Sequence, residues 1–211
     1  MTNPSSRADI MAWRKAERRR LIEERLAVDP GERRRRMTEI AATLSRFIEE
    51  PAGRTVSAYW PFRGEPDLRP WMSGFTERGG SCALPVVIGK NAPLVFRAWK
   101  SGGKLVSGVW NIPVPADGAE VIPDIVIGPV VGYDRNCYRL GYGGGFFDRT
   151  LAALSPRPII IGVGYAQAAI TSIHPLPHDI PMTVIVTEHG IIAPAVSPTR
   201  PTTENAPRAI R

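Results

Sequence analysis

At 211 residues, with 27 Lys and Arg against 20 Asp and Glu, a net charge of +7 and 43% hydrophobic residues, the chain has the arithmetic of one compact basic domain that buries roughly 70% of its unfolded surface. No run approaches the ~18 apolar residues of a membrane span, and the first ten residues lack the apolar centre of a secretory signal, so membrane insertion and secretion are not expected. Cys82 and Cys137, the 2 cysteines, cannot build a disulfide framework or a structural zinc site, and they suit reduced thiols in a cytoplasm.

Residues 1–8 are polar and aperiodic and read as a disordered lead; a single domain is expected over 9–193 and a disordered Pro- and Thr-rich tail over 194–211. Ala8 to Ala27 combines strong helix formers with an apolar stripe of Ile10, Trp13, Leu21 and Leu26. Asp29-Pro30-Gly31-Glu32 marks a restart, with Asp29 as N-cap and Pro30 as the first helical residue. Met37, Ile40, Ala41, Leu44, Phe47 and Ile48 then recur at the helical period until Glu50-Pro51-Ala52-Gly53. Residues 1–36 hold ten Arg and Lys15 against six acids. Such a segment is a solvated helix face, a nucleic-acid or membrane patch, or a phosphate-binding arm. Glu17, Glu23 and Glu24 interleave with Lys15, Arg19, Arg20 and Arg25 at i,i+3 and i,i+4 spacing, which favours the solvated face.

From residue 55 the pattern turns to α/β punctuation. Strands are predicted at Thr55 to Trp60 and Cys82 to Val87, with a helix between them from Leu68 to Arg78. Leu94 to Trp99 and Leu105 to Val109 read as a further pair joined around Ser101-Gly102-Gly103, and Asp124 to Gly128 as a buried strand. After a glycine-rich loop come a helix from Gly145 to Ala153 and strands at Ile159 to Gly164, Met182 to Thr187 and Gly190 to Ile192. The fold class is α/β, a single domain with a mixed or mostly parallel sheet flanked by helices and led by two basic helices.

The loop carries the chemistry. Gly141, Gly143, Gly144 and Gly145 fall within five positions between a buried strand and a helix, where backbone N–H groups and a helix start favour phosphate, and Arg139 and Arg149 bracket them. The spacing is neither a dinucleotide fingerprint nor a Walker A loop. On the glycines alone, a mobile turn is an equal reading.

The wider pattern resembles the 5-formyltetrahydrofolate cyclo-ligases, also called 5,10-methenyltetrahydrofolate synthetases. The resemblance rests on Arg14-Lys-Ala-Glu-Arg18, Pro61-Phe-Arg-Gly-Glu65, Leu84-Pro85, Trp110-Asn-Ile-Pro113, Arg139-Leu-Gly-Tyr-Gly-Gly-Gly-Phe-Phe-Asp-Arg149, Pro177-His-Asp-Ile-Pro181 and Val186-Thr-Glu188. It implies a ligase that takes 5-formyltetrahydrofolate and ATP to 5,10-methenyltetrahydrofolate, ADP and phosphate, by phosphorylation of the formyl oxygen and attack of N10. Arg139 and Arg149 would then stabilise the transferred phosphoryl group, and Arg139, Leu140, Gly141, Tyr142, Gly143, Gly144, Gly145, Phe146 and Phe147 would wrap the triphosphate. Arg14 and Arg18, one turn apart, would project onto the same phosphates, with Lys15 as the alternative to Arg14. Asp148 and Asp179 would hold Mg²⁺, against the plainer readings of a first-turn acid and an Asx turn. Glu65 would hydrogen-bond the folate, against the plainer reading of a helix cap that Asp67 could also supply. Trp60, Trp110, Tyr142 and Phe146 would give it flat surfaces.

His174 and His178 have i,i+4 spacing, but Pro175 and Pro177 exclude a regular helix there, and no metal is assigned to them. Arg14 stands where Lys is common in the family, Phe147 where Tyr is usual, Val114 where Glu is frequent and Thr183 where an acid is common. The implied partner is a reduced formyl folate, with or without a polyglutamate tail, in the cytoplasm. Two alternatives stay open: a relative that keeps the ATP site but acts on another substrate, and, ranked lower for want of a recognised motif, a basic nucleic-acid-binding module.

Overall fold

Local signals set the two leading helices. The computed structural model describes residue 4 and residues 6–194, so the expected tail from 195 onward and much of the expected lead lie outside the described residues. Helix α1 (Arg7–Ala27) starts within the expected lead, on a capping box: Ser6 Oγ accepts from the Asp9 N–H, and the Asp9 carboxylate accepts from the Ser6 N–H. Helix α2 (Pro30–Phe47) is capped by Asp29, whose side chain accepts from Gly31 and Glu32 N–H, with Pro30 first in the helix as the spacing predicts. It stops at Phe47, ahead of the Pro51 signal.

The elements that follow are β1 (Thr55–Ser57), α3 (Arg69–Glu77), β2 (Ser81–Val87), β3 (Leu94–Trp99), β4 (Leu105–Ser107), β5 (Pro113–Pro115) and β6 (Ile125–Pro129). After them come β7 (Gly132–Tyr133), β8 (Arg139–Leu140), α4 (Phe146–Ala153), β9 (Ile159–Val163), β10 (Val184–Thr187) and β11 (Gly190–Ile192). Seven strands form one sheet in the order β11-β10-β9-β6-β1-β2-β3. The five inner strands are parallel, and β3 and β11 close the edges antiparallel. The chain is thus α/β with a mixed, mostly parallel sheet, as expected.

The predicted β3–β4 pair is not formed. β3 pairs along β2 from Cys82 opposite Trp99 to Val87 opposite Leu94, while β4 pairs with β5 in a separate hairpin. Pro113 and Pro115 hide β5 from a propensity reading, because proline is a poor strand former except at edges. The β7–β8 ladder inside the glycine-rich segment has only two residues a side and leaves no periodic trace.

Alternation along the strands divides the core. Val56, Leu84, Ile127, Ile161 and Val186 face α2 and α3 with Ile40, Leu44, Met72 and Phe75. Ala83, Val126, Ile160 and Ile185 face the other way, with Leu151 of α4. Helix α1 belongs to neither layer. It docks through Leu21 onto Val131, Leu140 and Ile173, and Leu26, expected in its apolar stripe, is 50% exposed. From β1 the chain builds β2 and β3 on one side and later β6, β9 and β10 on the other. The reversal opens a crevice beyond the C-terminal ends of β1 and β6, where open α/β sheets bind ligands. Among the described residues no helix is long and apolar enough to cross a membrane.

Candidate active site

A cleft of about 220 Å³ opens at that crevice. Tyr59, Trp60, Phe62 and Glu65 enter it from the segment after β1, residues 84–87 from β2, residues 108–110 and 112–114 from the β4–β5 hairpin, and residues 139–148 from β8 and the glycine loop. Arg14 and Arg18 of α1 close it together with His178 and Asp179.

Arg14 is 5% exposed. Its Nε donates to the Ile173 carbonyl (3.0 Å), Nη2 to the His174 carbonyl (2.9 Å) and to Asp179 Oδ2 (2.5 Å), and Nη1 to Asp179 Oδ1 (3.3 Å). Asp179 also accepts from the Leu176 N–H at 2.6 Å, so it is both the counter-ion of Arg14 and a turn-former. Burial pushes its carboxyl up, but the hydrogen bonds from Arg14 and Leu176 outweigh that and hold it below the usual range. Arg18 lies one turn along. Its Nε donates to the Gly141 carbonyl at 2.6 Å, and no carboxylate pairs with it among the described residues. Burial first, then repulsion from Arg14, lowers its pKa against the pull of Asp179. A guanidinium keeps its charge under such a shift. Lys15 is exposed and stands outside the cleft, so the structure brings Arg14 and not Lys15 to it.

The glycine loop makes room for these cations as well as for a ligand. A Cβ on Gly141 would stand 2.5 Å from Arg139 Nη1, and one on Gly143, whose φ is 94°, would stand 3.2 Å from Arg18 Cζ. Arg139 is 9% exposed. It donates to Asp148 Oδ2 at 3.1 Å and lies over the Phe147 ring at 5.0 Å, while its Nε has no partner. Burial lowers its pKa, and Asp148 and Asp179 oppose that. Arg149 is a different case. It turns back onto the loop, donating from Nη2 to the Gly144 carbonyl at 2.8 Å with its guanidinium 5.2 Å from the Phe146 ring, and it does not line the cleft.

The opposite wall is aromatic. Trp110, 55% exposed at φ 58°, stacks on Phe62 at 6.4 Å and 13°, and Tyr142 meets Phe62 edge-on at 5.7 Å. Below them Glu65 is buried, with Oε1 accepting from the Tyr142 hydroxyl (2.7 Å) and Oε2 from the Phe62 N–H (2.9 Å). Burial pushes Glu65 up to about 7, against the Tyr142 hydrogen bond, the Arg25 charge and the Phe62 N–H, which pull it down. It caps no helix, and α3 starts at Arg69, after Leu68, without a side-chain cap. Trp60 lines the cleft under Arg69, whose guanidinium is 4.7 Å from its ring centre.

Of the residues expected at the site, Arg14, Arg18, Trp60, Glu65, Trp110, 139–148 and Asp179 all line this one cleft; Lys15 and Arg149 do not. Of the departures noted in the sequence, Val114 lines the cleft, while Thr183 accepts the Ile160 N–H between β9 and β10, away from it. The sequence reading passed over Phe62, although it sits inside the quoted Pro61–Glu65 motif. It also passed over Arg25, whose signal was its place on the Arg14–Arg18–Leu21 face of α1. Asp148 and Asp179 are carboxylates already paired with arginines, and among the described residues no three His, Cys, Asp or Glu gather closely enough to hold a metal. Two carboxylates beside an arginine-lined cleft are a donor set that Mg²⁺ accepts when waters and phosphate oxygens supply the rest.

Comparisons with known proteins point to one family and one fold. The model of the 5-formyltetrahydrofolate cyclo-ligase family matches residues 10–188. The 5-formyltetrahydrofolate cyclo-ligase of Mycolicibacterium smegmatis is 33% identical over 151 residues, 67% of this chain and 78% of the relative. The Escherichia coli enzyme of the same name is 30% identical over 135 residues, 61% and 74% of the two chains. The solved structure of Aquifex aeolicus 5,10-methenyltetrahydrofolate synthetase superposes with a TM-score of 0.75 at 25% identity, covering 91% of this chain and 99% of that one. That of the Mycoplasma pneumoniae synthetase gives 0.69 at 20% identity, over 83% and 98%, and speaks for the fold.

Proposed function

The chain belongs to the 5-formyltetrahydrofolate cyclo-ligase family and converts 5-formyltetrahydrofolate and ATP into 5,10-methenyltetrahydrofolate, ADP and phosphate; we propose that the cleft described above is where it does so, and how. One observation supports this most strongly. A single cleft has one wall of arginines laid on bare glycine backbone and an opposite wall of aromatic rings over a buried carboxylate. The first suits a polyphosphate and the second a flat heterocycle with N–H donors.

A formyl group on nitrogen is a poor electrophile. Transfer of the γ-phosphoryl group to its oxygen turns that oxygen into a leaving group; N10 then attacks the carbon, its proton is lost and phosphate departs with the C–O bond. No protein nucleophile is needed, and the residues position and neutralise charge. Arg18 and Arg139 are the cations best placed for the phosphates, because Arg14 is largely engaged by Asp179 and the 173 and 174 carbonyls. Loop N–H groups of 141–147 complete the cradle. Glu65 takes the donors of the pterin, and Phe62, Trp110 and Tyr142 flank its rings. Asp148 and Asp179 would hold Mg²⁺, which when bound offsets phosphate charge. Two buried free cysteines support a cytoplasmic setting, and the net charge of +7 suits a polyglutamate tail as well as the monoglutamate.

Mixing the protein with 5-formyltetrahydrofolate, ATP and Mg²⁺ tests the assignment: the methenyl chromophore is expected to form in step with ADP. ATP hydrolysis without the chromophore would overturn it in favour of another substrate.

A further inference from the structure

Arg14, Arg18, Leu21 and Arg25 fall at i, i+4, i+7 and i+11 and share one face of α1. Arg25 is as buried as Arg14, at 5% exposure, yet no carboxylate pairs with it among the described residues. Its partners are three neutral oxygens. Nε donates to the Arg63 carbonyl at 2.9 Å, Nη2 to the Tyr142 hydroxyl at 2.7 Å and Nη1, at the limit of hydrogen-bond length, to the Val130 carbonyl at 3.5 Å. Arg63 sits at φ 47°, a strained position for a residue with a side chain, and is followed by Gly64 at φ 76°. Arg25 therefore holds by its carbonyl the tightest point of the turn that carries Phe62 and Glu65.

Hydrogen-bond directions follow from chemistry. A guanidinium only donates, and a tyrosine hydroxyl has one proton. With Arg25 donating to Tyr142, that proton is left for Glu65 Oε1, 2.7 Å away. The chain Arg25 to Tyr142 to Glu65 thus runs from α1 through the glycine loop into the 61–65 turn. The adjoining Gly141 is gripped by Arg18 of the same helix.

We propose that Arg25 is a positioning residue for ring closure. It points the Tyr142 hydroxyl at Glu65 and fixes the 61–65 turn against the glycine loop, so that folate and nucleotide are held in one register. This rests on the cyclo-ligase reading above. The groups facing Glu65 are Arg25 from α1, Tyr142 from the loop and Tyr59 from the segment after β1. Removing the cation leaves the buried carboxyl harder to ionise, and the ionised form is the one that accepts donors from a pterin.

The test compares wild type, Arg25→Met, which keeps length without donors, Arg25→Lys and Tyr142→Phe. Chromophore formation is followed across pH, and unfolding temperatures are recorded. For the wild type, kcat/KM for formyl folate is expected to fall on the acid side near the value of about 7 that burial gives Glu65. In Arg25→Met that limb moves up by about one unit and KM for the folate rises about tenfold, with KM for ATP changing less than about threefold. Arg25→Lys restores the limb, having kept the charge, but not the KM. Should Arg25→Met fail to fold, Tyr142→Phe carries the test, since loss of its hydroxyl also moves the limb upward. An unmoved limb in Arg25→Met, or in Tyr142→Phe where Arg25→Met does not fold, with losses that follow the unfolding temperature, overturns the role of Arg25. No chromophore from the wild type overturns the cyclo-ligase reading instead.

Discussion

Helices α1 and α2 look alike on paper and do opposite things with their arginines. Each is Arg-rich with interleaved acids. On α1 the arginines divide by face: Arg19 and Arg20 pair outward with Glu23, Glu17 and Glu24, while Arg14, Arg18 and Arg25 turn inward to carbonyls, Asp179 and Tyr142. On α2 the inward face is apolar, Ile40 and Leu44, and the arginines stay at its edges. Arg35 and Arg36 pair with Glu32, Arg36 also reaches Glu188, and Arg33 donates to carbonyls of α1. The difference lies in what each helix packs on. The sheet beneath α2 is apolar, whereas α1 lies across a cleft edged by backbone carbonyls, a carboxylate and bare glycine backbone. An arginine is buried only where such oxygens await it.

The contrast is broken most severely at Arg14. Arg14→Ala leaves Asp179 without its bidentate partner and frees two carbonyls, and is expected to cost about 3–5 kcal/mol, with loss of turnover; denaturant unfolding checks it. The pH dependence has a definite sign. Since the folded pKa of Asp179 is depressed, its contribution is present above the ordinary carboxylate pKa and lost as pH falls through the folded value. The acid stability limb should therefore flatten in Arg14→Ala. Arg18→Ala comes next: with no carboxylate to orphan, it should spare stability and raise KM for ATP about tenfold, the worth of one charged hydrogen bond of about 1.5 kcal/mol. Equal loss of folate affinity in that variant would place Arg18 on the wrong ligand.

How much of this was legible follows from the range of each signal. The Asp29–Pro30 start of α2 is local and was read correctly, as was the Leu94–Trp99 strand. The partner of β3 was not, because strand pairing is a property of two segments and the Gly102–Gly103 turn suggested the wrong one. The resemblance to the cyclo-ligases placed Glu65, Trp110 and the 139–148 loop together, and all of them line one cleft. It failed for Arg149, whose guanidinium folds back on Gly144. The solvated-face reading of α1 was right for Arg19 and Arg20, whose partners are four or fewer residues away. It was wrong for Arg25, whose partners lie 38 to 117 positions along the chain. At the start of α2, within the same basic segment, Arg34 and Arg35 are exposed, as a solvated face requires, while Arg33 and Arg36 are half-buried.

Arg36 marks the middle of the scale. It touches Glu32, Glu188, Gln167 and the Tyr165 ring, and so ties α2 to the segments after β9 and β10. Arg36→Ala is expected to lower stability by about 1 kcal/mol and leave both KM values alone. A change in either KM would mean that α2 also reaches the site.

The smallest effect belongs to Arg35. Its side chain is 75% exposed and its one carboxylate partner, Glu32, is also held by Arg36. Hydrogen bonds from Arg36 and then Arg35 hold the Glu32 carboxyl below the ordinary value. In Arg35→Ala that pKa should drift back upward, which a carboxylate titration by NMR would detect. The unfolding temperature and turnover should stay at wild-type values, because water and salt screen an exposed pair. The depressed pKa of Glu32 then reports only a nearby charge, while the depressed pKa of Asp179 reports a buried partnership that the cleft depends on. A turnover defect in Arg35→Ala would show that the two helices share one role, and the division between them would fall.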